Sequence, residues 1–374
     1  MDNDTRLMYE PMTTAHPGET IVEYIEFNNW SQRDLARRTG LTPKTISEIC
    51  NGKAPITPQT ALALEKVFQR PARFWLNLQR QFDEAEARQR ATSKLVEWKD
   101  WAARFPLKEM KPWFAELGKE PDVDGLLSFF GVSSPDSWNS VWKASNVVYR
   151  QTRKSRINEE AVSAWVRATE LDALQMEIKE FDEKLLRASL NELRRLTRER
   201  PQESIPKMKA LCAAAGVAFV LVPELPNTGI SGCARWLSDK KAMIALTLRY
   251  KFDDQIWFTF FHECGHLLLH GKEHGFILDN AAEYLTDNVV DPQMQRQEEE
   301  ANRFAADTLI PPAMLHSLIM EGDFSNEAIH RIAERLEIGP GIVVGRLQHE
   351  KLLKPYQGTT LKQRFIGKTL ADLG

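Results

Sequence analysis

Apolar residues recur every three or four positions through most of the chain, the spacing of helices that bury one face. Over residues 32–39, Leu35 and Ala36 face inward, Gly40 suits the positive φ of a tight turn, and Leu41 fills the angle behind it. Thr42 is a good N-cap and Pro43 fits the first helical position, so a second helix runs to about Asn51 with Ile46 and Ile49 inward. Two helices crossing through so short a turn make a helix-turn-helix. From Phe82 to about Pro201 the spacing stays helical. Leu171, Leu174, Ile178, Phe181, Leu185 and Leu193 predict one long amphipathic helix or a coiled-coil seam. Trp98, Trp101, Trp113, Trp138, Trp142 and Trp165 read as core or interface packing. After Pro201 the period changes: residues 217–223 (VAFVLVP) read as a buried strand, and 232–237 and 243–248 as two more. Asp253 or Asp254 then caps a helix beginning near Ile256, and another helix covers residues 298–309. Residues 332–338 and 343–347 predict two further helices around a Gly339-Pro340-Gly341 turn, read as a cap on the preceding domain.

Composition narrows the class. The chain has 374 residues, 43% hydrophobic and 27% charged, the balance of a folded globular protein of two or three domains. No run approaches the ~18 consecutive apolar residues of a membrane-spanning helix, and the acidic N-terminus lacks the order of a secretory signal. Cys50, Cys212, Cys233 and Cys264 are widely separated, which suits reduced thiols in a cytoplasmic protein. Net charge is -3, yet residues 31–80 carry nine bases against three acids. A local basic block in a mildly acidic chain is the footprint of a small nucleic-acid-binding module.

In a helix-turn-helix the second helix enters the major groove and its outward N-terminal side chains reach base edges. That places Lys44, Thr45 and Glu48 at bases, and Gln32, Asn51 and Lys53 near phosphates. Lysine can donate to guanine O6 and N7, and glutamate can accept from cytosine N4. The run LARRTGLTPKTISEICNGKAPITPQTALALEKVFQRPARFWLNLQ, residues 35–79, resembles the HigA-type antitoxin branch of the lambda-repressor-like (XRE) DNA-binding domains. The resemblance implies a five-helix domain over roughly 17–81 that binds double-stranded operator DNA as a homodimer and often has a toxin partner.

The helix near 256 contains His262-Glu263-Cys264-Gly265-His266. At about 100° per residue, His262, Glu263 and His266 share one side of that helix. Two imidazoles one turn apart can reach a single Zn²⁺ at about 2.0–2.1 Å, while the carboxylate between them takes a proton from the attacking water. A third ligand must come from elsewhere, because His270 lies about 12 Å along the axis from His262. In the run Glu298-Glu299-Glu300, Glu298 lies nearest the apolar stripe of Ala301, Phe304 and Ala305, so it is the choice and Glu300 the alternative. Asn302, one turn on, could orient a ligand, while Glu299 faces solvent. Tyr250, Tyr284 and His330 are candidates for stabilising an oxyanion.

HECGHLLLHG followed by EEEANRFAADTLIPP resembles the ImmA/IrrE family of metallopeptidase-like domains over roughly residues 217–353. The resemblance implies zinc held by His262, His266 and Glu298, Glu263 as catalytic base, and repressor or antitoxin proteins as targets. Cys264 stands where an aliphatic residue is commoner, and is read as packing. The expected fold is mainly α with a small α+β domain: a helix-turn-helix domain at 1–81, a helical connector for dimerisation or partner binding at 82–200, and a zincin-like domain with a small sheet at 201–374. The expected function is a DNA-binding regulator of antitoxin type whose zinc domain cleaves a repressor, an antitoxin, a toxin or itself. The alternative is a regulator whose zinc domain is a non-proteolytic sensor or partner-binding platform.

Overall fold

A computed structural model of the chain describes residues 15–143, 157–247, 252–271, 276–279 and 292–364. Packing divides the chain into two compact units, Met1–Lys99 and Asp100–Gly374.

The first unit holds five helices: α1 (Pro17–Phe27), α2 (Gln32–Thr39), α3 (Pro43–Cys50), α4 (Pro58–Phe68) and α5 (Ala72–Glu97). Ser31 and Asp34 close a reciprocal capping box at the start of α2, and Gly40 ends it at φ 72°. Thr42 caps α3 through its hydroxyl, as its position before Pro43 predicts. Leu35, Ala36, Ile46 and Ile49 are buried with Ile21, Leu64 and Trp75 in one core. The Gln79 side chain accepts a hydrogen bond from the Ile56 amide at 2.9 Å, tying the start of α5 to that core. Beyond Arg80 the helix continues to Glu97, so the boundary expected after residue 81 falls inside it.

Short helices open the second unit: α6 (Lys99–Ala102, at the division), α7 (Lys111–Glu116), α8 (Val123–Phe130) and α9 (Pro135–Trp138). Trp101, Trp138, Trp142 and Trp165 are buried, which is where aromatic area contributes most to a core. The long helix or coiled coil expected over 171–193 is two helices, α10 (Glu159–Gln175) and α11 (Glu183–Arg195). Between them the backbone leaves the helix to pair elsewhere: the amides of Lys179, Phe181 and Asp182 donate to the carbonyls of Ala213, Lys240 and Ala215. Asp182 then restarts the helix by accepting from the Leu185 amide. Leu174 and Leu185 are exposed, so the apolar spacing is no continuous seam.

After α12 (Pro201–Ala214) come β1 (Val217–Leu221), β2 (Gly232–Ser238) and β3 (Lys241–Leu246). Next are α13 (Asp253–Leu269), β4 (Phe276–Asp279), α14 (Pro292–Leu309), α15 (Pro312–Glu321), α16 (Asn326–Leu336) and α17 (Pro340–His349). The sheet order is β1-β3-β2-β4, with β1 and β3 parallel and the other pairs antiparallel. All five residues of β1 are buried, as an unbroken apolar run requires. The strand β4 carries no alternating pattern and was not foreseen. α13 lies between β2, α14 and α17, and its Ile256, Trp257, Phe260 and Phe261 join the core. The fold is thus mainly α with one small mixed sheet beneath α13. No helix among the described residues is long and apolar enough to cross a membrane.

Candidate functional site

α13 buries two imidazoles and a carboxylate in a single turn: His262, Glu263 and His266 are 1%, 0% and 2% exposed. Burial of three polar side chains is costly unless each is engaged. The Nε2 atoms of His262 and His266 lie 2.8 Å apart. Glu298, on α14, brings one carboxylate oxygen to 3.3 Å from His262 Nε2 and the other to 3.5 Å from His266 Nε2. One ligand atom from each of the three lies within 4.8 Å of the others. Two ligands held at zinc distance in a tetrahedral site sit roughly 3.3 Å apart, so this spacing fits one divalent cation with nitrogen and oxygen donors.

The far sides of both rings are engaged as well. His262 Nδ1 lies 3.0 Å from Asn302 Oδ1, the ligand-orienting position expected one turn beyond Glu298. His266 Nδ1 lies 3.1 Å from His270 Nδ1, and His270 Nε2 lies 3.2 Å from Glu300 Oε2. Glu300, the alternative third ligand, therefore faces His270 and not the cluster. Glu299 is exposed and accepts from Gln295 on the same helix. Burial first, and then the neighbouring His262 and His270 rings, hold the His266 pKa well below its ordinary value, which favours the neutral ring that metal ligation requires. Hydrogen bonds from Arg296 and then His270 keep the Glu300 carboxyl below the usual range.

Two glycines let other elements approach. A Cβ on Gly265 would lie 3.2 Å from Ala301 Cα, so α14 seats against α13 where Glu298 must reach the histidines. A Cβ on Gly232 would lie 2.7 Å from Glu263 Oε1, so the first residue of β2 lies directly against the candidate base. Cys264 is fully buried in the core, and burial, with Cys212 and Glu263 nearby, drives its thiol pKa well up. It packs as a small hydrophobe, as its place in the motif suggests. Burial and then Glu263 also push the Cys233 thiol up.

Of the oxyanion candidates, His330 is exposed on α16, and Tyr250 and Tyr284 lie outside the described residues. Sequence reasoning missed the pairing of His270 with Glu300. Its trace was the spacing of His262, His266 and His270 at steps of four, which sets all three on one face.

In the first unit, α3 presents Lys44 and Glu48 on its outer face, 3.8 Å apart, with the lysine side chain 83% exposed. The Thr45 hydroxyl is hydrogen-bonded to that of Thr42 at 2.8 Å, and the Asn51 amide donates to the Ser47 carbonyl. Lys53 is exposed and Gln32 half-buried at the start of α2. Arg38, which sequence reasoning left unassigned, sets its guanidinium 4.0 Å above the Trp30 ring.

Residues 23–75 match the helix-turn-helix family, and residues 240–348 match the IrrE N-terminal-like domain, a peptidase family. Over 71 residues the chain is 39% identical to the HTH-type transcriptional regulator YddM of Escherichia coli, covering 19% of this chain and 76% of that one. Virulence-associated protein I of Dichelobacter nodosus is 37% identical over 73 residues, 19% of this chain and 68% of its own. Among solved structures, an addiction module antidote protein of the HigA family from Coxiella burnetii shares 34% identity. It covers 22% of this chain and 92% of its own, with a TM-score of 0.22.

Proposed function

The chain belongs to the helix-turn-helix transcriptional regulators and carries a C-terminal IrrE N-terminal-like domain, and we propose that it is an antitoxin-type repressor whose second unit is a zinc-dependent endopeptidase. The carrying observation is the convergence of His262, His266 and Glu298 on one point beside the buried Glu263. Zinc held by those three residues would supply Lewis-acid polarisation of water and of the scissile carbonyl. Glu263 takes a proton from the attacking water as its oxygen bonds to the carbonyl carbon. The same carboxylate then gives that proton to the amine nitrogen as the C–N bond breaks. Its full burial beside β2 keeps bulk water from competing for the proton.

The first unit would bind double-stranded operator DNA as a homodimer, with Lys44, Thr45 and Glu48 toward bases and Gln32, Asn51 and Lys53 toward phosphates. The substrate would be a regulatory protein of the same cytoplasmic circuit: a repressor, a toxin, an antitoxin or the chain itself. Covalent linkage of reader and peptidase lets one event at the second unit change transcription from the operator held by the first.

The test compares the wild-type protein with Glu263→Gln, using the neighbouring gene product and the chain itself as substrates. The variant should keep zinc and operator binding while cleavage falls by about 10²–10⁴-fold, the usual worth of a positioned proton-transfer group. Unchanged cleavage would remove Glu263 from the mechanism.

A further inference from the structure

Three polar residues of α14 face the two histidines of α13 and His270 at its C-cap, and only one of the three, Glu298, is a candidate ligand. Asn302 accounts for His262. What remains is Glu300, 3.2 Å from His270 Nε2, and His270, whose Nδ1 lies 3.1 Å from His266 Nδ1.

The direction of these two hydrogen bonds follows from donor and acceptor chemistry. An ionised carboxylate only accepts. With His270 neutral, its one proton sits on Nε2, donated to Glu300, and its Nδ1 is left as an acceptor. His266 must then donate from Nδ1. A neutral His266 with its proton there has a bare lone pair on Nε2, the atom aimed at His262 and Glu298. On the other side, Asn302 Oδ1 accepts from His262 Nδ1, so the Nε2 of His262 is bare too.

We propose that Glu300 and His270 form a directional hydrogen-bond relay that fixes His266 in the Nδ1–H tautomer and so presents its Nε2 as a ligand. Both are positioning residues, and neither touches the metal or the substrate. The inference rests on the metal-site reading above. The choice between two neighbouring glutamates then has a physical content: Glu298 serves the cation and Glu300 serves the ring that binds it. Relays of this kind fix ring orientation and raise ligand basicity, and losing one typically weakens metal affinity by about 10–100-fold.

The test has two readouts on the full-length chain. Two-bond ¹H–¹⁵N spectra of the metal-free protein report the His266 tautomer, and competition with a chromophoric chelator reports zinc affinity. In the wild type, His266 should carry its proton on Nδ1. His270→Leu should lose that single tautomer and about 10–100-fold in zinc affinity. His270→Gln, whose amide can still accept from His266 and donate to Glu300, should stay within about threefold of wild type. Because His270 is buried, Glu300→Ala at the half-exposed end of the relay serves as a second variant, with a smaller loss in the same direction. Glu299→Ala is the control, expected to change neither readout. The relay is overturned if wild-type His266 carries its proton on Nε2, or if His270→Leu holds both its tautomer and its zinc affinity. A wild-type protein that takes no zinc, yet shows a His266 tautomer that depends on His270, would overturn the metal reading and leave the relay standing.

Discussion

Lys44 holds its ammonium 3.8 Å from the Glu48 carboxylate on an exposed helix face. An exposed pair at this spacing contributes about 0.3–0.5 kcal/mol, so DNA can separate the two charges at little cost. A lysine contact to guanine O6 and N7 carries about 1–3 kcal/mol of discrimination. Lys44→Ala is therefore expected to weaken operator binding roughly ten- to hundredfold while leaving zinc content unchanged. Matching gel-shift titrations for variant and parent would take Lys44 out of the interface. Residues at this scale were legible where one helix determines their relation. His262, Glu263 and His266 needed only the helical period, and the choice of Glu298 over Glu300 followed from the apolar stripe around Ala301 and Ala305. The partnership of Glu300 with His270 was not legible, because it depends on how far along α13 the second helix is seated.

The first turn of α13 shows how an element can be held against the preference of its own side chains. Asp253 and Asp254 favour a helix N-terminus through the macrodipole, and both are buried against Gly341 and Gly345 of α17. Lys362 answers them, donating to Asp254 at 2.6 Å and to Gln348 at 2.7 Å. Burial prevails: it pushes the Asp253 carboxyl up to about 7 from 3.8, and raises Asp254 as well despite the lysine. A carboxyl whose folded pKa exceeds its unfolded one contributes most below the unfolded value, near pH 3.8, and loses that contribution as pH rises to about 7. Asp253→Asn should thus gain stability over wild type by about 2 kcal/mol more at about pH 8 than at about pH 5. Denaturant titrations of both proteins across that range decide it, and a gap independent of pH would contradict the assignment. Elements were readable from sequence where capping and period agreed, as at Thr42 and the buried run of β1. The break between α10 and α11 was hidden, because amides at 179–182 find carbonyls that lie far along the chain. The position of β4 beside β2 is likewise a tertiary fact.

For the whole molecule, the basic block and the candidate metal cluster lie in two different compact units. The excess of bases falls within residues 31–80 although the chain carries -3 overall, while all three candidate ligands belong to Asp100–Gly374. A ligand that binds only the folded state stabilises it by mass action, about 2.7 kcal/mol at a hundred times its dissociation constant. Removing zinc should lower the unfolding temperature of the second unit and leave that of Met1–Lys99 in place. Operator binding, which uses none of the ligand residues, should be the same with and without chelator at equal ionic strength, since salt alone shifts phosphate contacts. Calorimetry resolves the first effect and gel shifts the second. A chelator that moved neither transition would show that the cluster holds no structural cation. One that abolished operator binding would mean that the cation reaches the reader through the rest of the chain, a route that separate cores would not by themselves supply.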